Sequence, residues 1–505
     1  MPVTEIHESA RMSGRRRWAF RCAAVLLGLS VFPLAELLCA CCGWGVRHEV
    51  DDPFVGFSDV YPLFVQNSET AQWEIPKSRR KFFKPESFPV DKAGSRRVFC
   101  FGGSTVQGRP FATQTSFTTW LEIALNCATP DQHWQVINCG GVSYASYRLV
   151  PIVEECLQHD PDMFVICTGH NEFLEERTYA HVKYASGWLP ATQRALARTR
   201  LASVIRGAVW PDAAQEAEPD RQVLRAEVDA LLDYRGGIRA YHRDVQWKQG
   251  VVRHYEFNLR RMIAIAARHG IPVLLVQPPS NLRDCPPFKS LAGSQCDAEQ
   301  LSQRDDWLRK AREAQRSNLS RAVECFEQAL AIDDQYAIAW YELGKCYETM
   351  RNWDRARNAF MQAREQDICP LRMITPLEQA LQTVARETNT PLVNAHALLE
   401  EQVPGGILGD FLLVDHIHPS IRGHQVIAER LASLVLERIV GSLDTQWSAC
   451  AHAEWRRHFE SLDRMYFLHG KRTLEALQEW TKGRADGPPI ESRMDRLPAT
   501  PSTQP

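Results

Sequence analysis

Through the middle of the chain, apolar runs of strand length alternate with segments of helical periodicity. The runs are VFCF at 98–101, WQVIN at 134–138, MFVICT at 163–168, PVLLVQ at 272–277 and PLVNA at 391–395. Each is short and nearly continuous in apolar character, the pattern of a strand buried on both faces. Around them, apolar residues at helical spacing predict helices near 113–126, 146–158, 251–269, 376–387 and 420–440. Such alternation builds an α/β domain, a parallel sheet covered by helices on both faces, with reactive groups gathered at the carboxyl ends of the strands. The domain is predicted over 97–440. Residues 47–96, rich in Pro and aromatics without a clear period, read as linker and lead-in, and 441–505 as a helical extension ending in a flexible tail.

Two insertions interrupt the alternation. The first, 176–250, holds a basic helical stretch, RALARTRLASVIRGAVW at 194–210, read as a lid or packing helix. The second, 297–370, carries a repeat: Ala322, Phe326 and Ala329 recur 34 residues later as Ala356, Phe360 and Ala363, the tetratricopeptide (TPR) period. Trp340, Leu343, Gly344 and Tyr347 occupy the first helix of the better copy, whereas the copy before it has Asp306 where Trp340 maps. So short an array must lean on the domain that contains it. It reads either as a docking surface for a protein partner or as a helical buttress.

Composition adds an address. From Cys22 to Val46 the only formal charge is Glu36, and Arg11, Arg15, Arg16, Arg17 and Arg21 precede the segment. That pattern predicts a signal anchor over 18–46, a short cytoplasmic N-terminus at 1–17, and a single-pass protein whose remainder is extracytoplasmic, on the periplasmic side. A cleaved signal peptide, with Leu38 and Ala40 as an imperfect site, competes with it. A net charge of −2 gives no global field for nucleic acid, and none is expected as a partner. Among 15 cysteines, Cys100, Cys139 and Cys167 fall in or at the end of apolar runs as small core residues, while Cys285 and Cys296 are placed to pair across a loop in an oxidising compartment.

Three short pieces carry candidate chemistry. Ser104 follows the first apolar run through Gly102 and Gly103, which puts its hydroxyl at a strand's carboxyl edge. On that turn alone a helix cap is the commoner reading. Asp415-His416-Ile417-His418-Pro419 precedes the last predicted helix. There Asp415 can hold the imidazole of His418 while its other nitrogen takes a proton from a serine. Thr168-Gly169-His170-Asn171-Glu172 follows the third run, and Asn171 offers a neutral amide donor for a developing oxyanion. A two-histidine metal site from His416 and His418 lacks further ligands nearby, so neither metal nor cofactor is expected.

FGGST at 101–105, N-x-G-G at 138–141, G-H-N-E at 169–172 and D-x-x-H-P at 415–419, in that order, resemble the four blocks of the SGNH (GDSL-like) hydrolase superfamily. With the anchor and the TPR insertion, the chain resembles a membrane-anchored bacterial group within it. The resemblance implies a three-layer α/β/α sandwich of flavodoxin-like topology over 97–440 and acyl transfer through an acyl-serine. It makes Ser104 the nucleophile, His418 the base, Asp415 its orienter and Asn171 an oxyanion donor. A further oxyanion N–H comes from Gly141 or Ser143, since a strict count from Asn138 lands on Ser143, and from Ser104 itself. Gly103, His170 and Glu172 are candidates for supporting the site or lining its pocket. The implied activity is hydrolysis of an O-acyl, and in particular an O-acetyl, ester on extracytoplasmic carbohydrate or lipid. An O-acyltransferase with the same acyl-serine is the first rival. A non-catalytic TPR scaffold in an envelope complex is the second.

Overall fold

The computed structural model describes residues 52–179, 222–234, 237–441 and 447–482, with a few positions between 18 and 39. The chain divides into two units, Met1–Gly56 with Thr178–Val223, and Phe57–Arg177 with Leu224–Pro505. Of the first, little is described. Residues 30–39 are helical, with Val31, Phe32, Leu34, Leu37 and Leu38 exposed, and the rings of Phe54 and Tyr179 meet edge to face. The membrane segment predicted over 18–46 lies largely outside the described residues, and among the described residues no helix is long and apolar enough to cross a membrane. The basic stretch 194–210 and the tail from 483 also lie outside the described residues.

The second unit is built on five parallel strands, β1 (Arg96–Gly102), β2 (Trp134–Gly140), β3 (Met163–Cys167), β4 (Val273–Gln277) and β5 (Leu392–Asn394), in the order β2-β1-β3-β4-β5. All five match the predicted runs within two residues at either end. Their near-continuous apolar character follows from burial on both faces: β2 and β3 have no exposed residue. Alternate side chains serve opposite layers. Val98, Cys100, Val136, Met163 and Val165 share a core with helix Phe117–Ala128 (α2 below), whereas Phe99, Phe101 and Phe164 pack against one another on the other side.

After β1 a short helix α1 (Ser104–Gln107) leads to α2 (Phe117–Ala128), whose Phe117, Trp120, Leu121, Ala124 and Leu125 form one buried stripe. Helix α3 (Ser146–Cys156) follows β2, and α4 (Val245–Arg268) follows the first insertion. The TPR insertion supplies α5 (Ala298–Ala314), α6 (Leu319–Ile332), α7 (Ala337–Thr349) and α8 (Trp353–Glu365). The domain then closes with α9 (Thr375–Glu387), α10 (Ala395–Glu400) and α11 (Ile421–Ile439). Helices α2 and α11 cover one face of the sheet, and α3, α4 and α9 the other. The fold is therefore the three-layer α/β/α sandwich expected. At the carboxyl end, α12 (Trp447–Ser461) docks on α2, Trp455 Nε1 donating to the Trp120 carbonyl at 2.8 Å. Helix α13 (Arg464–Lys482) lies by residues 111–115, where Tyr466 stacks on Phe111.

Three features depart from the expectations. The lead-in holds a three-stranded antiparallel sheet, Val65–Asn67, Gln72–Glu74 and Ser87–Pro89. Strands of three residues are too short for a period of two to show in sequence. Helix α4 begins at Val245, ahead of the predicted start at Val251, because the Asp244 side chain caps it by accepting the Trp247 N–H. Cys285 and Cys296 are not joined in a disulfide: their thiols donate to different carbonyls, Pro286 and Ile332.

Ala322, Phe326, Ala329, Leu343, Ala356 and Phe360 form the core of the TPR helices. A Cβ at Gly344 would lie 2.6 Å from the Phe360 ring, which accounts for glycine there. Phe360 is fully buried in this core, so Phe360→Ala is expected to cost ~3–5 kcal/mol of stability, measured as the shift of the urea unfolding midpoint at unchanged m.

Candidate active site

Strand register decides which residues meet. Gly102 at the end of β1 pairs with Gly140 of β2 and Cys167 of β3, so the segments leaving these strands emerge at one edge. Between β1 and β3 the strand order reverses direction, which opens a crevice at their carboxyl ends. Ser104 follows β1 into this crevice and Asn171 follows β3. Two glycines permit the approach: a Cβ at Gly102 would lie 2.2 Å from the Cys167 carbonyl oxygen, and one at Gly103 would lie 2.4 Å from Asn171 Nδ2. The Asn171 amide therefore lies against Gly103, directly before Ser104 in the chain, where only a bare Cα fits.

The third contributor arrives from far along the chain. His418 Nε2 stands 2.7 Å from Ser104 Oγ, and His418 Nδ1 stands 2.6 Å from Asp415 Oδ2. Asp415 Oδ1 accepts the N–H groups of Ile417 and His418 at 2.9 and 2.8 Å, which fixes the carboxylate against its own loop. Burial alone would raise the Asp415 pKa. Coulombic attraction to His418 and His416 and the hydrogen bonds from His418 and Ile417 outweigh burial and hold it well below the usual carboxylate range. A carboxylate can only accept, so Nδ1 carries the ring proton and Nε2 presents its lone pair to the Ser104 hydroxyl. All three side chains are buried.

Asn171 Nδ2 donates one hydrogen to the Tyr144 carbonyl at 2.9 Å and has a second to offer. Of the two backbone donors left open by sequence, Gly141 has its N–H committed to the Gly102 carbonyl at 3.0 Å. Ser143 is half-buried at φ 64°, in the left-handed region that favours glycine, and no acceptor among the described residues takes its N–H. Ser104, first in α1, has an N–H without an intrahelical partner. Among the described residues, the N–H groups of Ser104 and Ser143 thus meet no acceptor, and Gly141 is spent on the sheet edge.

The remaining candidates are structural in their contacts. His170 Nε2 donates to the Pro279 carbonyl at 2.8 Å, so Nδ1 is the acceptor for Thr105 Oγ1 at 3.3 Å. Its ring ties β3's exit loop to α1. Burial, with the nearby His416 and His418 rings, lowers its pKa to about 3. Glu172 accepts the Ser146 N–H at 2.8 Å and the Ser146 hydroxyl at 2.9 Å, anchoring the start of α3, and burial raises its pKa. His416 packs on Phe288, and both ring nitrogens of His418 are already engaged, so the two rings do not converge on a common point.

Several supporting groups have roles that the sequence does not show. Asn138 uses its side chain wholly on the scaffold, donating to the Val106 carbonyl at 2.7 Å and Thr118 Oγ1 at 2.9 Å, so it clamps α1 behind Ser104. The lead-in reaches the site too: the Phe82 carbonyl accepts from Val142 N–H and from Gln107 Nε2, both at 2.8 Å. Tyr144 acts through its main-chain oxygen, which no side-chain motif can reveal.

Residues 314–367 match the tetratricopeptide repeat family. This chain carries a TPR. No curated protein matches the chain in sequence. Among solved structures it is similar to Axe2, an acetylxylan esterase from Geobacillus stearothermophilus, at 14% identity and a TM-score of 0.30, over 68% of this chain and 95% of that one. It is similar also to a lipolytic protein of the G-D-S-L family from Desulfitobacterium hafniense, at 10% identity and a TM-score of 0.29, over 67% and 99% of the two chains. A lipase/acylhydrolase from Enterococcus faecalis is similar at 15% identity and a TM-score of 0.28, over 68% and 96%. At those scores the likenesses add nothing to what the geometry of Ser104, Asp415 and His418 carries.

The lowered pKa of His170 has a consequence for stability. Between its ordinary 6.5 and about 3, the unfolded chain binds a proton that the folded chain does not. Acidification through that window therefore destabilises the fold through this group, and stability returns as pH rises above 6.5. The slope of melting temperature against pH over this window is expected to be shallower in His170→Gln than in the parent chain.

Proposed function

We propose that this chain is a serine hydrolase that cleaves O-acyl esters through an acyl-serine. The observation that carries the reading is the continuous Ser104–His418–Asp415 relay at 2.7 and 2.6 Å in a buried crevice at the strand ends. An alcohol is a poor nucleophile at neutral pH and needs a base, an orienter for the base and a site for the oxyanion. Ser104 Oγ attacks the acyl carbonyl carbon while His418 Nε2 takes its proton, and the Asp415 carboxylate stabilises the imidazolium by accepting Nδ1–H. The carbonyl oxygen, now anionic, is met by the free hydrogen of Asn171 Nδ2 and by the N–H groups of Ser104 and Ser143. His418 then returns the proton to the departing alkoxide. Water, activated by the same nitrogen, releases the acid.

The finer reading is an O-acetyl ester on an extracytoplasmic carbohydrate or lipid. Its support is compositional: the arginines ahead of the apolar segment 22–46 favour an anchored chain with the catalytic unit on the far side. The exposed apolar side chains of 30–39 suit contact with lipid.

The deciding experiment is labelling with a fluorophosphonate, which reacts only with an activated serine. Labelling is expected in the full chain and absent in Ser104→Ala and His418→Ala; labelling that survives Ser104→Ala in folded protein defeats the nucleophile. Asn171→Ala removes one oxyanion donor and is expected to lower turnover of an activated acetyl ester by ~10²–10³. Supplying an oligosaccharide acceptor and following acyl release distinguishes hydrolysis from transfer, since transfer that outruns hydrolysis would replace the esterase reading by an acyltransferase one.

A further inference from the structure

The acid–base pair rides on a loop with little structure of its own. Residues 407–420 contain no helix or strand, only an isolated bridge between Leu413 and Pro419. Yet Nδ1 and Oδ2 must be held within a few tenths of an ångström for the relay to work. What holds this loop is a residue that follows β4, on the far side of the TPR insertion in sequence.

Asn281 has no exposed surface and every polar group it owns is used. Its Nδ2 donates to the Asp415 carbonyl at 2.9 Å and to Asp410 Oδ1 at 2.8 Å. Its N–H donates to the His416 carbonyl at 2.9 Å, and its Oδ1 accepts the Asp284 N–H at 2.8 Å. Its own carbonyl accepts from Arg372 Nη1 at 2.9 Å, and the same guanidinium nitrogen donates to the Cys285 carbonyl at 2.7 Å. Asn281 thus grips the main chain at two successive carbonyls, Asp415 and His416, separated from His418 only by Ile417. Aspartate could not replace it, because both Nδ2 hydrogens meet acceptors.

The segment that bears Asn281 is in turn lodged in the TPR helices. Leu282, its neighbour, belongs to the same apolar cluster as Phe326, Leu343 and Phe360, together with Ile407 at the start of the catalytic loop. The Arg283 carbonyl accepts from Tyr341 Oη at 3.1 Å and Lys345 Nζ at 3.3 Å, both on α7, and the Arg283 guanidinium pairs with Glu348 of the same helix. Asp284 Oδ2 accepts the Asp410 N–H at 2.9 Å, while Lys345 Nζ lies 3.6 Å from Asp284 Oδ1. An unbroken set of contacts therefore runs from α7 through residues 282–284 to Asn281 and on to Asp415.

We propose that Asn281 is a positioning residue for the Asp415–His418 pair, and that the TPR helices serve as the brace that holds Asn281 in place. This rests on the reading of Ser104, His418 and Asp415 as the reacting set. It gives the insertion a role inside the reaction: the array sets the geometry of the base, so anything that shifts α7 against residues 282–284 is felt at His418.

The test uses the full chain and two readouts. Turnover and KM are taken with p-nitrophenyl acetate, and the His418 Nδ1 proton, held in a short bond to a carboxylate, is followed by NMR as a far-downfield resonance without substrate. Asn281→Ala keeps the main-chain bond to His416 and removes the side-chain grip. It is expected to lower kcat ~10–100-fold with KM unchanged, and to lose or broaden the resonance. The double variant Tyr341→Phe/Lys345→Met, on the TPR side, is expected to move both readouts the same way by a smaller factor. Wild-type kcat and an intact resonance in Asn281→Ala overturn the proposal, as does a double variant whose melting temperature falls while both readouts stay at wild type. Should Asn281→Ala not fold, the double variant decides alone. Because the resonance is read without an ester, a chain that shows it but cleaves nothing refutes the hydrolase reading and leaves the positioning claim to be judged on the proton.

Discussion

The hydrogen bond between Ser104 and His418 joins residues 314 positions apart, and most of the architecture serves to make that distance vanish. One end is fixed by the sheet: β1 ends at Gly102, in register with Gly140 and Cys167, and Ser104 is the first residue of the helix that follows. The other end is fixed by a loop that must be placed from outside. The two ends obey different physics. A strand end inherits its position from a ladder of main-chain bonds, whereas a loop end takes it from whatever side chains surround it. This asymmetry explains why Ser104 needs little beyond glycines and Asn138 to hold it, while Asp415 is held by the backbone N–H groups of Ile417 and His418, by Asn281 and by the packing behind them.

Much of the frame was legible in sequence, because buried parallel strands must be apolar on both faces and their helices must show one stripe. VFCF, WQVIN and MFVICT could be read for that reason, and so could the TPR period, whose repeated Ala and Phe positions are set by helix contact. The four pieces of the site could be located because each sits immediately after a strand or before a helix. What stayed hidden acts through the main chain or at a distance. Tyr144 contributes a carbonyl, Gly141 is withdrawn by a bond to Gly102, and the 82–83 segment touches the site from a lead-in whose strands are too short to show a period. Ser143 was reached only by counting, since its φ of 64° is not a property a serine advertises.

Two further imidazoles, His170 and His424, are buried near the relay. His170 and His424 are both lowered to about 3, chiefly by burial, so each stays neutral near the reacting pair. Their neutrality matters for the base. A second imidazolium beside His418 would oppose the positive charge that His418 must take up when it accepts the serine proton. Burying these two rings keeps their positive charge away from His418.

The shared apolar cluster of the TPR helices with Leu282 and Ile407 also bears on how the site is completed. Contacts within α5 to α8 join residues near in sequence, whereas the bond from Ser104 to His418 closes a span of 314 residues, the costlier closure in chain entropy. Leu282 and Ile407 lodge in those helices, so the segment that carries His418 is tied to the array as well as to the sheet. A Ser104 hydroxyl that lacks this long-range contact has no base beside it and stays an ordinary, unreactive alcohol.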